Sequence, residues 1–399
     1  MRHEVPPTAG LPLIWPDLIG RGAKPDLARA LSGFLGVEGV GITCSGTAAL
    51  VVALATLARR SRRRTVVIPG YTCPLVPLAV ARAGLAVRLC DVAANGLDFD
   101  RDALTNSCDG DTLAIVPTHL GGLTADLEPV LEVAERSGTF VVEDAAQALG
   151  ATWRGRFVGT VGAVGCFSLS RGKGLTIYEG GFWTARDDDL RIAIAETVDE
   201  LMQPHARAEL RRIVELIGYR LLYNPVGLRV AYGLPLRRAL VRGDVLHAVG
   251  DDVRGPIALH PVSAWRRKVG ASALRRLPSA IAANAARGRA RAAVLRKIPG
   301  IDVVDERPDT TGTWPFLMVL VRSAEIRDRI LHALWSAGLG VTRLFIHDLT
   351  GYPDLETIVP RSSVPNARSF AERSFTISNS AYLSAHDFDR IYDVISRSA

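Results

Sequence analysis

The stretch TFVVEDAAQALG, residues 139–150, decides the fold. A run as apolar as FVV leaves no polar face, which suits a strand buried on both sides in a parallel sheet. It ends in two acids, Glu143 and Asp144, followed by Ala-Ala-Gln. An acid leaving so apolar a strand needs a partner, because an unpaired buried charge is too costly to keep. Ligands of open α/β sheets gather at the carboxyl ends of the strands, so Glu143, Asp144 and Gln147 stand where a cationic ligand group or a structural arginine would meet them.

Outward from this strand, short apolar runs alternate with longer helical ones: TVVIP (65–69), PLVPLAVARAG (74–84), AVRLCDV (86–92), LAIVPTHL (113–120) and DLEPVLEVAERSG (126–138). This alternation predicts βαβ units and an α/β fold with a mainly parallel sheet sandwiched by helices. AVGCFSLS (163–170) and GGFWTA (180–185) add two strands around a glycine-rich loop. From about residue 195 to 240 the chain reads as helical and arginine-rich, with Leu210, Ile213, Val214, Ile217 and Leu221 on one face. Beyond 254 come an Ala/Arg helix (279–296), a strand FLMVLV (316–321), a helix (324–338) and a last strand and helix. The expected division is a large domain over residues 1–253 and a smaller C-terminal α+β domain over 254–399.

With 399 residues and 48% hydrophobic content, the chain can bury a core sized for two domains. The opening MRHEVPPTAGLPLIWPDLIG is broken by prolines and an acid, and no run of 18 uncharged apolar residues follows, so a cytoplasmic protein is expected. Cys44, Cys73, Cys90, Cys108 and Cys166 form no CxxC pair or Cys/His cluster, which predicts neither a disulfide framework nor a metal site. The net charge is +7, yet the arginines are spread along the chain without interleaved aromatics. Nucleic acid is therefore not an expected partner.

The chain has only four lysines, and Lys173 lies between two glycines in SLSRGKGL (168–175). A desolvated lysine amine can lose its proton and form a Schiff base, which a guanidinium cannot do. A solvated surface charge is the alternative on residue type alone. Upstream, Ser45, Gly46 and Thr47 open an apolar-periodic helix, SGTAALVVALATLA (45–58). Such a helix start offers N–H groups to an anion, although an ordinary N-cap has the same composition. The helix start, Asp144, and the Ser168–Lys173 loop follow in the order a phosphate-bearing aromatic cofactor requires.

These stretches resemble the DegT/DnrJ/EryC1/StrS sugar aminotransferases, pyridoxal-phosphate enzymes of fold type I. The resemblance rests on SGTAAL, VIPGYTCP, VPTHLGG, the block from Val141 to Leu175, the EGGFW that follows it, and IRDRILHALWSAGLGVTRLFIHDLTGYPDL (326–355). It implies pyridoxal 5'-phosphate as cofactor, held by Lys173 through a Schiff base, with Lys173 also moving the substrate proton. It further implies that Asp144 pairs with the ring nitrogen, Gln147 reaches the phenolic oxygen, and Ser45, Gly46, Thr47 and Ser168 surround the phosphate. Cys73 would face the ring where the family carries an aromatic, with Tyr71 as a substitute. Candidates for substrate contact are His119, His260, Arg343 and His347.

The implied reaction moves an amino group from glutamate or glutamine to a keto group of a sugar nucleotide or related cyclic polyol. A sugar dehydratase on the same scaffold and a non-catalytic regulatory member are the alternatives; Lys173 argues against the first, and the Lys173, Asp144 and Gln147 set against the second. The family's dimeric assembly implies a homodimer with a partner residue near each phosphate. ALHPVSAWRR (258–267) is the nearest counterpart of that stretch, with His260 or Arg266 in place of the usual residues. The segment 206–251 has no counterpart and looks inserted. Within it, residues 210–240 are basic and amphipathic, cut by Pro225 and Pro235 into short helices. Packing against the protein's own domain or the other subunit is expected in preference to an anionic membrane surface.

Overall fold

The computed structural model describes residues 3–19, 26–251 and 255–399. The apolar runs become strands β1 (Val40–Thr43), β2 (Thr65–Pro69), β3 (Ala86–Cys90), β4 (Thr112–Ile115) and β5 (Phe140–Asp144). A small hairpin, β6 (Thr152–Trp153) and β7 (Arg156–Phe157), precedes β8 (Val164–Ser168) and β9 (Gly181–Ala185). Seven of these form one sheet in the order β1-β9-β8-β5-β4-β2-β3. Neighbours from β3 across to β8 pair in parallel, and only β9 runs against both its neighbours. Every residue of β2, β4 and β8 is buried, which explains why those runs lack polar alternation. The fold is the expected α/β sandwich.

The C-terminal residues add β10 (Asp302–Val303), β11 (Thr310–Thr311), β12 (Phe316–Leu320), β13 (Val341–Thr342) and β14 (Ser374–Ser378). Four of them make an antiparallel sheet, β10-β12-β14-β13, and β11 pairs with β6, stitching this unit to the loop that follows β5. The expected boundary between residues 253 and 254 lies outside the described residues.

A strap of N-terminal chain crosses these parts. The N–H groups of Glu4, Val5, Ala9 and Leu11 donate to the carbonyls of Pro225, Gly338, Pro315 and Gly174 respectively. Thr8 Oγ1 donates to Gly172 O at 2.7 Å, and the buried Glu4 carboxylate pairs with Arg237 at 2.7 Å.

The segment 206–251 departs from expectation in two ways. Helix Ala206–Leu222 buries Leu216, while Leu210, Val214, Ile217 and Leu221 point out of the protein. The stripe read as a packing face, apart from the half-buried Ile213, therefore does not pack on the described residues of its own chain. Its inward side is instead built from Glu209, Leu216 and Tyr219, which sequence periodicity underweights because two of them are polar. Second, Pro235 does not end a helix. Asn224 caps Pro225–Leu228 by accepting from Gly227 N at 3.0 Å, and the chain continues through a π-helical turn, Arg229–Gly233, into Leu234–Val241. The wider turn just before the proline accommodates its ring and missing N–H.

Candidate active site

The carboxyl ends of β5 and β8 and the loops beyond them build the site, as open α/β sheets favour. Between β8 and β9 the chain makes a tight excursion. Leu169 N donates to Gly180 O at 2.7 Å, Arg171 N to Tyr178 O at 2.7 Å, and Lys173 N to Ser170 O at 3.2 Å. Gly172 takes φ +78°, where L-residues are disfavoured. Tyr178 also sits at φ +72°, a costly conformation for so bulky a residue, of the kind that concentrates at functional sites.

This loop holds Lys173 with its pKa lowered from the usual lysine value by burial, against the opposing fields of Cys73 and Asp144. Asp144 ends β5. Its backbone N–H donates to Pro117 O at 2.9 Å, and its Oδ1 accepts from Ala146 N at 3.0 Å. Burial raises its pKa, with the Ala146 N–H and the fields of Lys173 and His119 pulling the other way. Among the described residues no ion pair joins Asp144 to an arginine or lysine, so the carboxylate has room for one more donor. Cys73 lies close enough to Lys173 and Asp144 to feel both, and burial pushes its thiol up to about 12.

Gln147 Oε1 accepts from Gly121 N at 2.8 Å. Across the sheet, Ser45 caps helix Gly46–Arg59 by accepting from Ala48 N at 3.0 Å. A Cβ on Gly46 would stand 3.0 Å from Ser168 Cβ and 3.2 Å from Phe167 O, so the helix start presses directly on the end of β8. Ser168 Oγ is 3.1 Å from Ser170 Oγ. Ser45 and Gly46, at the helix start, thus stand beside Ser168 at the end of β8.

A cavity of about 860 Å³ opens over Lys173. Gln147, Arg171, Thr8 and Phe316 line it, together with four of the chain's eight tyrosines that include Tyr178. The other three, Tyr219, Tyr223 and Tyr232, come from the segment 206–251. Tyr219 stacks on Tyr223 at 4.7 Å and meets Tyr178 edge-on at 6.2 Å, and its buried hydroxyl has no hydrogen-bond partner among the described residues. Sequence reasoning missed this wall. The signal available was the i, i+4 pair Tyr219 and Tyr223, off the aliphatic stripe; Tyr232, in the π-helical turn, had none.

The four candidates for substrate contact are not among the residues that line this cavity. His119 is fully buried: Nδ1 accepts from Ala125 N at 3.0 Å, which leaves Nε2–H to donate to Glu143 at 3.1 Å. Glu143 also accepts from the N–H groups of Gly159, Val161 and Gly162. Burial alone would raise its pKa, but the His119 bond and these N–H groups outweigh it and hold the value below the usual range. Arg343 donates to the carbonyls of Ile346 and Ala371, and His347 packs edge-on against Tyr352 at 5.4 Å. His260 is buried with its ring 3.1 Å from Pro261 O.

Two further expectations are corrected. Tyr71 is fully buried between Phe345 and Phe370, so its ring cannot stand in for the aromatic missing at Cys73. Arg266, offered as a residue reaching a partner subunit, is also fully buried; its guanidinium grips Glu209 and donates to Ile177 O and Glu179 O of its own chain.

Among curated proteins, the chain is 34% identical to protein MosB of Rhizobium meliloti over 196 residues, 44% of this chain and 38% of MosB. It is 31% identical to GDP-perosamine synthase of Caulobacter vibrioides over 220 residues, 55% of this chain and 57% of the relative. The chain therefore spans about half the length of these relatives or less. The solved structure of sugar aminotransferase CalS13 from Micromonospora echinospora superposes over 98% of this chain and 100% of its own with a TM-score of 0.75 at 22% identity, a likeness of fold. A sequence profile of one family matches residues 20–221, just over half of the chain and the whole stretch from Ser45 to Lys173. That match settles the membership: the chain belongs to the DegT/DnrJ/EryC1/StrS aminotransferase family.

Proposed function

We propose that the protein is a pyridoxal 5'-phosphate-dependent aminotransferase that moves an amino group from glutamate or glutamine to a keto group of a sugar nucleotide or related cyclic polyol. The observation that carries this reading is Lys173, a desolvated amine of lowered pKa beside a buried carboxylate that still has an open acceptor site. The residues fit the cofactor. Asp144 can take the proton-bearing ring nitrogen as its missing donor, and the Gly46 cradle has the backbone approach that a phosphate requires and a Cβ would fill. When bound, the cofactor supplies an electron sink for the carbanion formed at the substrate carbon. Lys173 then holds and returns the substrate proton, Asp144 keeps the ring nitrogen charged, Gln147 orients the ring edge, and Ser45, Gly46, Thr47 and Ser168 hold the phosphate. Cys73, a neutral thiol at working pH, offers the ring a small apolar contact where an aromatic would stack.

The same reading takes the chain as a large domain through residue 253 and a smaller one from 254, working as a homodimer in the cytoplasm. The arrangement of Lys173 and Asp144 favours turnover over a regulatory role. The test is direct: the purified protein should show a visible absorption band that an amino donor bleaches. Lys173→Ala should lose both the borohydride-reducible adduct and transamination, by at least the ~10²–10⁴-fold that a positioned acid–base group contributes. Wild-type turnover in that variant would overturn the assignment.

A further inference from the structure

We propose that the outer face of residues 206–241 is a docking surface for an anionic bilayer. On helix Ala206–Leu222, Leu210, Val214, Ile217 and Leu221 recur at intervals of four, three and four, and all are exposed, Leu210 and Val214 at 62% each. The helical run after Pro225 repeats the arrangement with Val226, Val230 and Leu234, then Val241 at 89%. Both runs turn their other side inward to the cavity over Lys173, with Tyr219, Tyr223, Tyr232 and Leu236 among its lining. An aliphatic stripe of this length on a polar chain marks an interaction surface. Trp15 of the short helix Trp15–Ile19 joins it, half exposed, with the Arg220 guanidinium 4.8 Å above its ring.

Charge identifies the occupant. Residues 206–242 carry eight arginines and two glutamates, Glu209 and Glu215, with Arg237 also paired to Glu4 and Arg212 to Glu179 outside the segment. Glu209 is turned inward to Arg266, and Glu215 is bonded to Arg211 and Arg212. Arg207 and Arg238 are exposed, one near the start of the first stripe and one within the second, between Leu234 and Val241. In a two-fold dimer formed through this face both copies would bring the same arginine-rich patch, with its two glutamates already engaged, so the pairing would gain no opposite charge. A bilayer of anionic lipid complements the same pattern, taking the aliphatic side chains into the headgroup boundary and the arginines at its phosphates. Among the described residues no helix is long and apolar enough to cross a membrane, so the segment lies along the surface. The proposal stands independently of the reaction at Lys173.

The experiment is flotation of the full chain with vesicles. Wild type should rise with phosphatidylcholine vesicles containing about 30% phosphatidylserine, and fall away as salt increases from about 0.05 M to about 0.5 M. Pure phosphatidylcholine should bind it at least about tenfold more weakly. The triple variant Val214→Ser, Leu221→Ser, Val230→Ser changes only exposed side chains, so its thermal unfolding midpoint should match wild type, while flotation falls about tenfold or more. Arg207→Gln with Arg238→Gln should weaken binding about fivefold per arginine and flatten the salt dependence. Absence of flotation with anionic vesicles, or flotation unchanged in both variants, overturns the proposal. A dimer that the triple variant converts to monomer in sedimentation, without vesicle binding, assigns the face to a second copy instead.

Discussion

Arg266 closes on Glu209 through two parallel bonds, Nε to Oε1 at 2.7 Å and Nη2 to Oε2 at 2.6 Å, fastening the segment 206–251 to helix Ala264–Leu274. Ser263 N adds a third bond to Glu209 at 2.9 Å. Burial works against the carboxylate's charge, but the Arg266 and Ser263 bonds overcome it and lower its pKa from 4.5 to about 2.

This pair predicts an acid-sensitive attachment. Between pH about 4.5 and about 2 the unfolded chain takes up a proton on Glu209 that the folded chain refuses, so stability is present above that window and falls as the pH drops through it. Glu209→Gln should lose that part of the acid dependence. It should also cost ~3–5 kcal/mol at neutral pH by leaving the Arg266 cation buried and uncompensated. Urea unfolding of both proteins across the acid range checks this; identical pH profiles would refute it.

A second pH effect belongs to Lys173. Because its pKa is lowered, the neutral amine is more abundant at pH 8 than in an ordinary lysine. The rate at which the cofactor-free protein captures pyridoxal 5'-phosphate should rise with pH and level off below 10.5. Asp144→Asn removes one of the fields that hold the ammonium charged and should shift that plateau lower still. A plateau displaced upward in Asp144→Asn would contradict the geometry.

Gly46→Ala tests the cradle. The added Cβ presses on Ser168 and Phe167 O, tighter than ordinary contact, and pushes the helix start away from the end of β8. Cofactor affinity should fall by at least about tenfold, the equivalent of roughly one charge-assisted hydrogen bond, while the far-ultraviolet dichroism stays native. Equilibrium dialysis with the cofactor reads it.

Tyr219→Phe addresses the aromatic wall. Its hydroxyl is buried without a partner among the described residues, so removing it should leave stability equal or slightly higher. If that hydroxyl serves the keto substrate, KM should rise about tenfold with kcat little changed, the pattern of lost binding common to ground and transition states. Unchanged KM would leave Tyr219 as packing alone.

Much of this was legible in the chain because burial on two faces leaves a mark. FVVED, TVVIP and VGCFS have no polar alternation, and the structure buries them in the central sheet. Lys173, Asp144 and the Gly46 cradle were legible for a related reason: their residue types are chemically awkward where they occur and call for a use. The histidines and arginines were not. His119 and Arg266 are equally awkward on paper, yet here Glu143 and Glu209, distant in sequence, satisfy them. Periodicity likewise found the stripe of Leu210, Val214, Ile217 and Leu221 but could not tell which way it faced. That depends on Arg266 holding Glu209 on the opposite flank, a tertiary contact with no local signature.

The N-terminal strap has a consequence for how the chain is made. Residues 4–11 leave the ribosome well before the carbonyls that receive their N–H groups, which belong to Gly174, Pro225, Pro315 and Gly338. At ~5–20 residues per second the earliest segment waits on the order of tens of seconds for its last acceptor. Thr8 cannot fasten to Gly172, beside Lys173, until half of that wait is over. The strap therefore fastens in stages: it can reach the loop that bears Lys173 as soon as Gly172 and Gly174 have emerged, and it can close on Pro315 and Gly338 only after the C-terminal sheet has begun to form.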